Sequence, residues 1–211
     1  MSENSYDVSF LQEHWDELAE CFRMYTEDIN VFIAKFEIEK GEFPIELQNE
    51  IRSMYSHLCK AALADSHEAA AENIKKIKSH SKRALLDCFK YISVVYTDNY
   101  NAFMERYKGV DLTYIDNGKF LSNIDRLYAE TKKKLQTAKE MELKKTTEEE
   151  LFEAYQDAFR DSFMMNSDLI KAEESAAFLK KKATRKEIAG NISLIVGIAS
   201  FISGLIFFII K

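Results

Sequence analysis

The stretch EIRSMYSHLCKAAL, residues 50–63, holds Arg52 and His57 with four residues between them. Arginine is a permanent, forked phosphate ligand, and histidine is the side chain that exchanges a proton near neutrality. On one helix this spacing is expected to set the two on neighbouring parts of a face, where they could share a phosphate. A second pair strengthens the interest. SHLCKAAL at 56–63 is echoed by SHSKRALL at 79–86, both reading Ser-His-x-x-basic-Ala-x-Leu. If the two stretches form an antiparallel helical hairpin about the turn DSHEA, facing residues have numbers summing to about 137. His57 and His80 meet that condition. The expectation is a polar cluster of His57, His80 and Arg83 with Arg52 nearby, suited to binding phosphate or a nucleotide, or to acid–base chemistry.

The Arg52-to-His57 stretch resembles the R-x4-6-H motif of HEPN domains, small all-helical modules of prokaryotic defence and toxin systems. In active members paired copies form a ribonuclease, the histidine and arginine serving 2′-hydroxyl attack and the leaving group; other members are degenerate. The resemblance covers those 14 residues and the general helical character of residues 9–145, and it implies catalytic roles for Arg52 and His57. Ser53 follows the arginine, where the family commonly has Asn, Asp or His. The chain is also similar in design to small single-span HEPN-type accessory proteins of RNA-targeting CRISPR systems. That implies an antiphage role with RNA, a nucleotide or a protein as trigger.

Other chemistries lack their residues. There is no glycine-rich phosphate loop, no Gly-x-Ser-x-Gly, no His-Glu-x-x-His and no cysteine pair at metal spacing, so neither cofactor nor metal is expected. Cys21, Cys59 and Cys88 are widely separated and read as reduced thiols of a cytosolic domain. A net charge of −6 argues against a nucleic-acid sleeve, which needs a basic surface. His14 and His67 read as solvated helix residues, and the basic KKIKSHSKR at 75–83 as a solvated face or a contact for RNA or anionic lipid.

The elements that must carry these residues are helices. One proline and six glycines in 211 residues leave few breakers, and no amino-terminal secretory signal is expected. Leu11, Trp15, Leu18, Phe22, Tyr25, Ile29, Phe32 and Phe36 alternate at spacings of four and three, predicting one unbroken helix over 9–39. Gly41 and Pro44 end it and begin a second helix to about Ala64; Asp65 with Glu68 suggests a capping box for a third, reaching about Tyr107. The stretch KGVDLTYIDNG reads as the long loop, followed by a fourth helix from Lys119 to about Lys145. Thr147 is expected to cap a fifth, whose seam runs from Leu151 to Leu179 and continues without a proline. The fold class is therefore all-α, an antiparallel bundle of about five long helices plus a carboxyl-terminal transmembrane helix. Its divisions are a cytosolic bundle over 1–146, a long juxtamembrane helix over 147–187 and the span over 188–210.

The span is the plainest signal. Residues 188–210 are 23 positions without a charge, about 35 Å as a helix against a hydrocarbon core of about 30 Å. KKKATRKE precedes it, which by the preference of basic residues for the cytoplasmic side makes the bundle cytosolic, in a tail-anchored, single-pass arrangement. Gly190, Ser193, Gly197, Ser200 and Gly204 recur at spacings of three and four and so share one face. Small faces let membrane helices approach closely, so a homo-oligomer within the bilayer is expected. The leading functional expectation is a self-associating membrane effector that perturbs or perforates the bilayer. The alternatives are a membrane-tethered HEPN-type ribonuclease and a non-enzymatic tether.

Overall fold

The computed structural model describes residues 9–144 and 146–209, without the side chains of 187, 190, 191 and 199–209. The described residues are all-helical: α1 (Ser9–Glu13), α2 (Trp15–Arg23), a π-helical segment (Met24–Ile29), α3 (Asn30–Lys40), α4 (Ile45–Ala62), α5 (His67–Arg106), a 3-10 segment (Leu112–Gly118), α6 (Lys119–Leu143) and α7 (Glu148–Ile209).

The 40 residues of α5 form the spine, about 60 Å long at helical rise. On its amino-terminal half α4 packs antiparallel, and α2 and α3 lie beside them. Leu18, Cys21, Met54, Ala61, Ile74 and Ile77 fill the seam. On the other half α6 and α7 take over, with Ile92, Val95, Phe103, Ile124, Leu127, Met165 and Leu169 buried between them. Lys82 meets Glu149 at 3.2 Å and Arg106 meets Glu173 at 2.6 Å, so α7 runs parallel to α5, two antiparallel steps later in the chain. The first half of α7 is thus part of the bundle, and its last fully covered residue is Ala176. From Glu148 to Ile209 the helix runs 62 residues, about 93 Å, without interruption.

Several boundaries follow from local chemistry. Gly41 closes α3 at φ +69°, a left-handed position that a residue with a Cβ rarely adopts. Thr147 caps α7 reciprocally: its hydroxyl accepts from the Glu150 amide at 3.3 Å, and the Glu150 carboxylate accepts from the Thr147 amide at 3.3 Å. The cap of α5 is Ser66 rather than Asp65; its Oγ accepts from the Ala69 amide at 3.2 Å. Within the expected long loop, residues 112–118 start as a 3-10 turn capped by Asp111 and then kink through non-helical backbone at Ile115, Asp116 and Asn117, the last two left-handed.

The amino-terminal helix departs further from expectation. It breaks at His14 and passes through a π turn at 24–29. Covered positions then run Leu18, Cys21, Tyr25, Ile29 and Ile33, with fours in succession that an α-helix cannot keep on one face. The wider π turn absorbs the extra residue. Trp15, 57% exposed, and Phe22 turn outward and meet edge-on at 6.3 Å.

Among the described residues, a buried hydroxyl on α6 lacks a partner. Thr131 on α6 is fully buried, and its hydroxyl makes no hydrogen bond among the described residues. An unsatisfied buried hydroxyl costs about 1–3 kcal/mol. Thr131→Val is therefore expected to raise stability by about 1 kcal/mol, read as a higher denaturant midpoint at unchanged slope.

Candidate functional site

The antiparallel pairing of α4 with α5 brings two histidines together. The rings of His57 and His80 stack with centroids 5.3 Å apart and planes at 22°. Each imidazole is held through Nδ1. His80 donates to the Glu50 carboxylate at 2.6 Å, and His57 donates to the Asn73 side-chain oxygen at 2.9 Å. Asn73 in turn donates to the Ala69 carbonyl at 2.8 Å, which fixes the amide so that its oxygen faces His57. Arg83 lies over the same group, its Nε 3.8 Å from Glu50. The cluster is half-buried, and both Nε2 atoms are left without a hydrogen-bond partner among the described residues.

Arg52 stands apart. Five residues turn a helix by about 500°, so Arg52 and His57 sit about 140° apart around α4 rather than on one face. Arg52 is exposed, and no hydrogen bond or ion pair joins it to the histidines. The carboxylate of Glu50, which the spacing does not bring in, contacts both His80 at 2.6 Å and Arg83 at 3.8 Å and so gives the cluster an anion of its own. It precedes His57 by two turns of one helix, and that spacing is the signal that could have found it.

Beside the cluster a cleft of about 200 Å³ opens between α4, α5 and the start of α7, with Leu86, Leu151 and Phe152 as its apolar lining. Its cations carry acids: Lys82 with Glu149 at 3.2 Å, and Lys90 with Glu142 at 2.9 Å and Asp87 at 3.3 Å. Burial pushes the Asp87 carboxyl up, against the pull of Lys90. Burial would also raise Glu142, but hydrogen bonds from Lys139, Lys90 and Tyr155 outweigh it and hold the carboxyl down at about 2. A depressed carboxyl adds stability above its unfolded value of about 4.5, and that stability is lost as the pH falls toward about 2. Acid titration should therefore destabilise the wild type more steeply than Glu142→Gln between pH ~5 and ~2.

The second candidate feature is the far part of α7. Lys180 donates to the Arg106 carbonyl at 2.7 Å, capping the end of α5, and Tyr107 donates to Glu173 at 2.8 Å. Beyond this tie the helix leaves the bundle. Ile188, Ile192, Leu194, Ile195 and Ile198 are all more than half exposed. Of the expected small-residue face, Ser193 and Gly197 are exposed, and a Cβ built on Gly197 would meet nothing within 4 Å. Gly190, Ser200 and Gly204 lie outside the residues whose side chains are described. Among the described residues no helix is long and apolar enough to cross a membrane; the latter half of the expected span, 199–210, has no described side chains.

Comparison with protein-family models, curated proteins and solved structures gives no significant match. The chain must be read from its own chemistry. On that basis the histidine cluster can exchange protons through two neighbouring Nε2 atoms, yet it carries its own counter-anion. The projecting helix presents an aliphatic surface that calls for a non-aqueous partner.

Proposed function

We propose that the protein is a self-associating membrane effector, a cytosolic helical bundle anchored through residues 188–210, whose oligomers perturb or perforate the bilayer. The observation that carries this reading is the aliphatic surface at Ile188, Ile192, Leu194, Ile195 and Ile198, exposed where α7 projects beyond the bundle. In water such a surface costs about 25 cal/mol per Å² of apolar area, and lipid removes that cost. The sequence extends the same character to Ile210 without a charge. The open space at Gly197 supports association, because a close-approaching helix needs a face without side chains. The likeness of residues 50–63 to HEPN modules supports a place in prokaryotic defence.

Among the described residues a Cβ on Gly197 would meet nothing within 4 Å. A loss of association in Ser193→Leu/Gly197→Leu therefore points to contact with a second molecule. In dye-loaded vesicles this variant is expected to lose the oligomer and about nine-tenths or more of the leakage. Arg52→Ala/His57→Ala should leak like wild type. The reverse pattern would support a second reading, a membrane-tethered ribonuclease. The observation favouring that alternative is the stacked His57 and His80, each oriented through Nδ1.

A further inference from the structure

We propose that the end of the bundle from which α7 departs docks on anionic phospholipid headgroups, with Lys181, Lys182, Arg185 and Lys186 as the contact cations and Tyr114 entering the same layer. This inference rests on the membrane reading above and adds the class of lipid and the way the bundle meets it.

Lys180 is fixed to the end of α5 through the Arg106 carbonyl, and the uncharged run begins eight residues later at Ile188. Eight residues of helix rise about 12 Å. A bilayer of about 40–45 Å around a core of about 30 Å leaves a polar layer of roughly 5–8 Å on each side. With residues 188–210 in the core, the end of the bundle stands a few ångströms from the headgroups. No long linker lets it swing away.

Lys181, Lys182, Arg185 and Lys186 are exposed, and none has an ion-pair partner among the described residues. At about 100° per residue they spread over about 140° of the helix circumference, a collar rather than a single spot. Nearby cations of the bundle do carry acids: Arg106 with Glu173, Lys108 with Glu105 and Lys171 with Asp168. Residues 180–187 carry five cations against the single acid Glu187, so positive charge is concentrated in the gap between bundle and span. Lys and Arg beside an anionic surface each raise its occupancy by roughly five-fold, and the gain disappears with salt.

The turn between α5 and α6 adds an exposed aromatic residue at the same end of the bundle. Leu112 is buried and pins the 3-10 segment to this end of the bundle, whereas Tyr114 is 76% exposed. Tyrosine has an apolar ring and a polar tip, and it favours the headgroup level of a membrane.

The test uses the full chain carrying Trp15→Phe and Tyr114→Trp, two exposed positions where the exchange disturbs no core. It is reconstituted into phosphatidylcholine vesicles with or without about a third phosphatidylglycerol, a minor fraction of the lipid bearing a headgroup spin label. Quenching of the indole at position 114 is expected to be about three-fold or more stronger with the anionic lipid. The difference should vanish in about 1 M salt and in Lys181→Gln/Lys182→Gln/Arg185→Gln/Lys186→Gln. Equal quenching in both lipids, or none, in a protein that floats with the vesicles overturns the docking surface alone. A protein that floats with neither vesicle overturns the membrane reading beneath it.

Discussion

Deletion of residues 188–211 is expected to move the protein from the membrane pellet to the supernatant while leaving the bundle folded. The segment 188–210 holds 14 Ile, Leu, Val and Phe residues. At about −0.3 to −0.6 kcal/mol each on an insertion scale they favour the bilayer by roughly 4–8 kcal/mol, a preference that three serines and one asparagine lessen but do not reverse. Among the described residues the deletion removes nothing from the core. The last of them on α7 to be fully covered is Ala176, and the tie of Lys180 to α5 is retained. Sedimentation after extraction without detergent, with far-ultraviolet circular dichroism and a thermal scan of the deleted form, measures both halves of the expectation. A full chain that stays soluble without detergent would sink the membrane assignment. A deleted form that unfolds would show that the segment belongs to the bundle's interior.

How much of this arrangement is legible in the sequence depends on how many residues vote. Helices α4 and α6 each carry several apolar positions in register and a clear breaker before them, Pro44 and Gly118, and their bounds fall within two residues of expectation. The start of α5 has Asp65 and Ser66 side by side, both good caps, and only the backbone decides between them. Ser66 takes the extended conformation, at φ −152° and ψ 156°, and so becomes the cap. The π turn at 24–29 is hidden for a different reason. Leu18 and Phe22 fit an unbroken stripe as well as Leu18 and Cys21 do. The smaller thiol goes inside because α5 presses closely there, a tertiary choice that periodicity does not contain.

The candidate site divides in the same way. His57 opposite His80 follows from the repeated Ser-His-x-x-basic pattern and the place of the turn, since an antiparallel hairpin has one register. Asn73 and Glu50 escape because each lies about two turns along its helix from the residue directly across from the histidine it contacts. Arg52 is the instructive miss. A motif written as a spacing in sequence says nothing of angle, and four intervening residues on a regular helix point the two side chains to different sides. The stacked rings therefore meet Glu50, Asn73 and Arg83 instead.

Phe89→Ala is expected to cost about 3–5 kcal/mol, the largest loss from any one side chain discussed above. Phe89 is 5% exposed at the middle of α5. Its ring lies 5.8 Å from Phe32 of α3, and 5.5 Å and 5.0 Å from Phe152 and Phe159 of α7. One aromatic of the spine thus meets both the amino-terminal layer and the long helix α7. An alanine there leaves a cavity lined by three rings that cannot collapse together, because each belongs to a different stretch of long helix. At roughly 2–4 °C per kcal/mol for a chain of this size, the midpoint should fall by about 6–20 °C. Trp15→Ala is the contrasting measurement. The sequence stripe ranks Trp15 with the core, yet its 57% exposure limits the loss to about 1 kcal/mol or less. If the tryptophan change cost more than the phenylalanine change, the outward rotation of the amino-terminal helix before the π turn would be wrong, and with it the packing of α3 against α5 and α7.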